Sequence, residues 1–360
     1  MFKHSEVKVK LLSLYMERYL NILSLSKYID KIILFDLFCA EGIYENGGKG
    51  SPIILLEAIK ELPYSANGTN EFDLYLNDLD CDKIEKLKQE IESRQLKSNR
   101  IGSLYFSTED YQRMLPLVVS KFSGFKRTRG FIFIDPYGYK EVKFSHIKEL
   151  LRPGTTEVLL FLPTQFMFRF EEKGTPQSLK DFISELVPEK DWPKSNTGID
   201  FIEQLKEAFK SRLSDDKFVD TFIITREKNQ FFCLFFFTSH IYGFDRMLDA
   251  KWKIDEEDGR GWKYNVTNDL FSTVDISPNT YKLENGLKDF LKSEQRSNSE
   301  IYEYTLHLGY LPKHTTAVLS KFQNDGILDI VSLDKIKKGA FYINYGNWKD
   351  NPEKVKIKIK

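Results

Sequence analysis

Apolar residues along this chain follow two rhythms. Over residues 4–25 they recur at helical spacing (Val7, Leu11, Leu14, Tyr15, Leu20, Leu23), which predicts a lead-in helix covering a sheet or a cleft. Residues 32–35 then form an unbroken apolar run ending on Asp36, and a glycine-bearing loop separates it from an apolar helical run over 53–59. Ser51-Pro52 reads as the start of that helix, with serine capping and proline in the first turn. Residues 71–79 alternate and end in acids, which predicts a second strand, and 103–107 a short third one. Buried strands are expected over 131–134 and 157–162, and a closing pair over 219–225 and 231–238. Helices are expected up to Gln95 and over 199–213 and 240–253. This alternation predicts a doubly wound α/β domain, its sheet mostly parallel with an antiparallel last strand.

The pattern changes near Ser277-Pro278. Helices are predicted over 283–291, 299–308 and 315–324, the last stopped by Asp325-Gly326. Strands over 327–331 and 340–345 would flank the basic turn D-K-I-K-K-G, before an alternating basic tail, K-V-K-I-K-I-K. Helix-turn-helix followed by a hairpin predicts a small winged-helix domain over 277–360, after a first domain over 1–270. In nucleic-acid binders of this form the third helix enters a groove and the wing touches backbone. His314, Thr315, Thr316, Ser320 and Lys321 are the candidates for the groove, and Lys335, Lys337 and Lys338 for phosphates. A domain that contacts only protein is the other reading. Within the first domain, residues 163–198 read as an insertion that carries Phe166, Phe168, Phe170 and Trp192 and would shape a substrate pocket.

Composition narrows the choice. Lys plus Arg and Asp plus Glu are both 53, so a globally basic nucleic-acid coat is excluded while a local basic patch is not. Three cysteines without C-x-x-C spacing give neither a zinc site nor a disulfide framework. Cys39, Cys81 and Cys233 are expected to be buried thiols. The absence of a signal-peptide pattern and of a membrane-length apolar run leads to the expectation of a cytoplasmic protein that spans no membrane.

The candidate chemistry sits at strand ends. The block D-L-F-C-A-E-G, Asp36 to Gly42, lacks the G-x-G-x-x-G of a dinucleotide fold. The following G-G-K-G-S lacks P-loop spacing. The block resembles motif I of class I S-adenosylmethionine (SAM) methyltransferases, usually D-x-F-x-G-x-G, with Ala40 in place of the first glycine. That resemblance implies that Asp36, Phe38, Ala40 and Gly42 hold the methionine end of SAM. Asp78, at the end of the second strand, is the candidate for both ribose hydroxyls, while Asp80 or Asp82 could cap the next helix. Asp110 is the candidate for the adenine edge, or else lies in the first turn of a helix capped by Thr108. F-I-D-P-Y-G, Phe133 to Gly138, resembles motif IV of amino-group methyltransferases, [DNS]-P-P-[YFW], with Tyr third and Gly fourth. The resemblance implies that Asp135 and the Pro136 carbonyl accept from a target amine and that Tyr137 or Tyr139 stacks on the base; a flat ring suits a flipped base. A bare strand-end turn set by Pro136 and Gly138 is the alternative.

These blocks, with G-S-P at Gly50 to Pro52 and N-D-L-D at Asn77 to Asp80, resemble the three-Cys-motif partner protein family over about residues 8–252. The resemblance implies a SAM-methyltransferase-like fold and a partner protein with a three-cysteine motif. The expected activity is SAM-dependent methylation of a nucleic-acid amino group. No cysteine follows a proline, which argues against cytosine C5 chemistry. The alternative is a non-catalytic nucleotide-, DNA- or partner-binding module.

Overall fold

The computed structural model describes residues 3–63, 71–124, 126–136, 142–164, 184, 197–227, 230–263, 277–332 and 337–360. Tyr137, Tyr139, Lys335 and nearly all of the 163–198 insertion lie outside these residues. The chain divides into two compact units, Met1–Gly243 with Gly261–Thr267, and Phe244–Arg260 with Asn268–Lys360. Residues 244–260 therefore group with the C-terminal unit.

The first unit is an α/β layer structure. Helix α1 (Lys3–Ser24) leads into β1 (Lys31–Asp36), α2 (Ser51–Lys60), β2 (Glu71–Asn77) and α3 (Cys81–Ser93). Then come β3 (Ile101–Ser107), α4 (Tyr111–Phe122), β4 (Thr128–Ile134), α5 (Phe144–Leu151) and β5 (Thr156–Leu162). After α6 (Gly198–Arg212) the unit closes with β6 (Phe218–Glu227), β7 (Gln230–Thr238) and the short β8 (Gly261–Lys263); α7 (Ile241–Trp252), between β7 and β8 in the chain, lies nearly all in the second unit. The sheet order is β3-β2-β1-β4-β5-β7-β6-β8. Only β7 runs antiparallel to its neighbours, β5 and β6. Helices cover both faces, which is why the central strands are apolar runs such as Ile32–Phe35 and not alternating ones. Among the cysteines, Cys39 and Cys233 are buried, but Cys81 is exposed. It opens α3 directly after the Asp80 cap, where the first turn faces water.

Glu157 is one of several acids buried in this unit. Glu157, at the start of β5, is 7% exposed and accepts hydrogen bonds from the Tyr15 hydroxyl of α1 and from Thr238 Oγ1 of β7 (2.9 Å). Burial pushes its carboxyl up to about 7, against the opposing hydrogen bonds. A raised acid binds its proton in the fold more tightly than in the unfolded chain. Stability from this group is therefore intact below pH about 4.5 and falls as pH rises to about 7, by roughly 3 kcal/mol. Glu157→Gln keeps an acceptor for Tyr15 and should unfold at higher urea than the native chain at pH 8, with little difference at pH 4.5. Equal differences at both values would contradict this reading of Glu157.

In the second unit, α8 (Tyr281–Ser293), β9 (Arg296–Ser297), α9 (Asn298–His307) and α10 (Pro312–Asn324) precede β10 (Leu328–Ser332), α11 (Tyr345–Asp350) and β11 (Val355–Ile359). The three strands form an antiparallel sheet in the order β10-β11-β9. The strand expected over 340–345 is absent. Tyr342 adopts the left-handed φ of 57°, which breaks the extended run, and Asn344 caps α11. The partner of β10 is instead the alternating tail, with Leu328 opposite Ile359 and Ser332 opposite Val355. Val355 and Ile357 are fully buried, and β11 packs on α8 and α9.

Candidate functional site

The register gathers the candidate acids at one sheet edge. Asp36 pairs with Leu76 and Phe133, so Asn77–Asp78 and Ile134–Asp135 continue past it at the carboxyl ends of β2 and β4. Strand order reverses between β1 and β4, the place where open α/β sheets take their ligands. The loop after β1 turns on Ala40 (φ 50°) and Gly42 (φ 77°). It closes on itself: the Gly50 amide donates to the Gly42 carbonyl at 2.6 Å, and the Tyr44 amide to that of Gly48 at 2.8 Å. A Cβ on Gly42 would lie 2.5 Å from Leu87 Cδ1, and one on Gly50 would lie 2.8 Å from the Gly42 oxygen. Glycine is therefore required at both positions, and the run G-G-K-G-S-P is a small closed excursion that hands the chain to α2. Gly50, not Ser51, is the N-cap residue of α2, and no side chain caps it, because Ser51 lies inside the first turn. The Ser51 hydroxyl bonds Asp36 instead.

Ala40 stands in a conformation that costs an L-residue about 1–2 kcal/mol. Asp78 holds it there. Its Oδ2 accepts from the Ala40 amide at 2.9 Å and its Oδ1 from the Asp80 amide at 3.1 Å. The side chain is 1% exposed. Asp78 thus staples the loop to the end of β2 through both carboxylate oxygens. Asp80 caps α3, accepting from the Asp82 and Lys83 amides, and Asp110 caps α4, accepting from the Gln112 amide at 2.8 Å. Thr108 does not cap α4. Asn77, which the sequence did not single out, ties three strand ends. It donates to the Leu37 and Glu109 carbonyls and accepts from the Ser107 hydroxyl at 2.7 Å.

A second group missing from the sequence expectations is Lys8. Its ammonium pairs with the Asp135 carboxylate and lies 4.6 Å above the Phe161 ring. Burial works to lower its pKa, but Asp135, Tyr44 and Asp36 more than offset that, so Lys8 holds its proton above the usual lysine range. Asp36 is fully buried and its Oδ2 has no partner among the described residues. Burial, with the Asp135 charge, pushes it up to about 7 against the Ser51 bond. Pro136 is buried beside it. Above these groups opens a cleft of about 440 Å³, lined by the loop from Phe38 to Asn46, by Gly50 and Ser51, and by Asp135. Glu41, Glu45 and Asp135 supply three carboxylates to that lining, of which Glu41 pairs with Lys86 at 3.0 Å and Asp135 with Lys8, and no Lys or Arg is among its described residues.

The sheet is like that of Rossmann-type methyltransferases. Its order and its antiparallel β7 carry that statement. No protein-family model and no curated protein matches the chain. Among solved structures, protein LPL1258 from Legionella pneumophila is similar at 15% identity over 68% of this chain and 89% of that one, with a TM-score of 0.39. An O-methyltransferase from Bacillus cereus in complex with SAH is similar at 13% identity, over 62% of this chain and 80% of that one, with a TM-score of 0.35. Likenesses this distant say nothing of activity. No described helix is long and apolar enough to cross a membrane, and no described cluster of His, Cys, Asp and Glu could hold a metal.

The candidates in the second unit are dispersed. His314 is 4% exposed, accepts from the Leu311 amide, and meets the Trp252 ring edge-on at 4.2 Å. Burial lowers its pKa to about 4. Thr315 is fully buried against Thr305. Neither faces a groove, because the first turn of α10 points inward. The Thr316 hydroxyl bonds the Pro312 carbonyl, and Lys321 pairs with Glu284. Lys337 and Lys338 are exposed.

Proposed function

We propose that this chain binds SAM in the cleft at the ends of β1 and β4 and methylates an amino nitrogen of a nucleic-acid base. The observation that carries the reading is the lining: Glu41, Glu45 and Asp135 face the cleft, Glu41 paired with Lys86 and Asp135 with Lys8, and no Lys or Arg is among the described lining residues, which suits a ligand bearing a sulfonium and an ammonium better than the phosphates of a dinucleotide or ATP. The loop backbone from Phe38 to Gly42, with Asp36 beneath it, would hold the methionine end. Asp78 acts by fixing the loop's shape. Asp110, exposed at the same sheet edge, is the group for the adenine edge. Bound SAM supplies an activated methyl group. Asp135 and the Pro136 carbonyl would accept from the target amine and aim its lone pair, once the Lys8 ammonium gives way. Tyr137 remains the proposed stacking ring.

The hold of Lys8 on Asp135 favours one other reading. In it the chain is a non-catalytic methyltransferase-like module that works beside a three-cysteine-motif protein, as the resemblance to that partner family implies. Incubation of the full chain with methyl-labelled SAM and mixed DNA and RNA separates the two. Label on an exocyclic amine is the expected result. Intact SAM binding with no label on either nucleic acid would overturn the enzyme reading and leave the module.

A further inference from the structure

We propose that the outer face of β11 is a docking surface for the phosphodiester backbone of a nucleic acid. This deepens the nucleic-acid part of the proposed function but does not depend on methyl transfer. Charge is distributed unevenly along the chain. Residues 331–360 hold eight lysines and three acids, within a sequence whose total is balanced. The structure turns half of those lysines into a row. Val355, Ile357 and Ile359 point into the unit at 0, 0 and 7% exposure, so Lys354, Lys356, Lys358 and Lys360 alternate on the other side. Lys358 and Lys360 are exposed, and the Lys356 side chain is 42% exposed. Alternate residues of a strand lie about 6.8 Å apart. That equals the rise along the duplex axis of two phosphates of one strand, at about 3.4 Å each.

The row is not an edge guard. Lysines commonly protect exposed sheet edges, but β11 is paired along its length with β10 and at Lys356 and Ile357 with β9 as well, and the lysines stand on its face, not along an open edge. Two carboxylates temper it: Glu353 pairs with Lys356 at 3.1 Å, and Asp329 stands opposite Lys358. Exposed pairs of this kind contribute little and are readily exchanged for phosphate. Lys354 lies 4.4 Å above the Tyr342 ring, and Lys360 Nζ donates to the Gly326 carbonyl. Lys337 and Lys338 extend the positive field on the connection after β10, anchored by the Gly339 amide on Gln323 Oε1. Helix α10 is the poorer surface, since His314 and Thr315 in its first turn are buried. A lipid surface fits less well, because Val331 is the one large apolar residue exposed on this sheet face among the described residues.

The test is anisotropy of a labelled 30-mer duplex DNA and a 30-mer RNA with the full chain from 50 to 300 mM salt. It compares the native chain with Lys356→Gln/Lys358→Gln/Lys360→Gln. A control, Lys97→Gln/Lys126→Gln/Lys148→Gln, removes the same charge elsewhere, and the unchanged Val and Ile residues keep the triple variant folded, as circular dichroism will report. The expected result is binding of at least one nucleic acid, weakened tenfold or more in the β11 variant. Its log-log salt slope should fall by about 3, near one per lost phosphate contact, while the control binds as the native chain does. Whichever of DNA or RNA binds names the backbone. Three outcomes overturn the proposal: no binding of either at 50 mM salt, equal loss in the control, or binding undiminished in the β11 variant. SAM binding is read separately, so failure here leaves the cleft untouched.

Discussion

Replacing Lys8 by methionine will destabilise the chain by about 3 kcal/mol at pH 8 and by far less at pH 5. Two acids depend on that ammonium. Asp135 is paired with it directly, and Asp36, fully buried with one oxygen unpartnered, lies in its field. Without the cation, one of the two carboxyl groups must take up a proton for the fold to persist. Asp36, already pushed up to about 7, would rise further. The folded variant then binds more protons than its unfolded chain over a wider range. Its stability falls as pH climbs from about 4 through and beyond 7. Urea unfolding at pH 5 and pH 8 measures the difference. Lys8→Met with Asp135→Asn should recover much of the loss, because it removes the stranded charge as well. A penalty equal at both pH values, and unrelieved by the second change, would mean that Lys8 contributes only through packing.

Asp78→Ala will cost about 3 kcal/mol and lower the affinity of the cleft for SAM at least a hundredfold, by releasing the loop. It leaves the Ala40 and Asp80 amides without their acceptors, at roughly 1–3 kcal/mol for each that stays buried. Nothing then holds Ala40 in its left-handed conformation. Asp78→Asn keeps an oxygen for the Ala40 amide, so most of the stability should survive and affinity should fall only modestly. Thermal unfolding and titration calorimetry on the two variants give both numbers. If Asp78→Asn abolishes SAM binding while remaining as stable as the native chain, the carboxylate is a ribose ligand and the staple is not its main role.

Much of the fold was legible because its signals are local. Apolar runs mark the buried strands, and the acids after them mark the carboxyl edge. Asp80 and Asp110 follow the spacing of helix caps. The site was harder to read because its contacts join distant parts of the chain. Lys8 falls at i, i+3, i+4 and i+7 with Leu11, Leu12 and Tyr15, so a cation on a buried stripe was there to be seen. Its partner, 127 residues away, was not. Asp78 looked like a ligand because its residue type and place suit one, and only the backbone of another loop shows why it is needed. In the second unit the second strand was expected over 340–345, while the tail was read only as alternating and basic. The left-handed Tyr342 breaks the expected strand, and composition does not record that. His314 and Thr315 sat at plausible recognition positions, yet the burial of the first turn of α10 removes them from the surface.

The central claim is that an acid-lined cleft at the β1–β4 switch point takes a cationic, phosphate-free cofactor. Titration calorimetry of the full chain with SAM, ATP and NAD tests it most directly. The account predicts SAM binding in the micromolar range and no measurable heat from ATP or NAD. Binding of either phosphate-bearing ligand in place of SAM, or no SAM binding to folded chain, would contradict it.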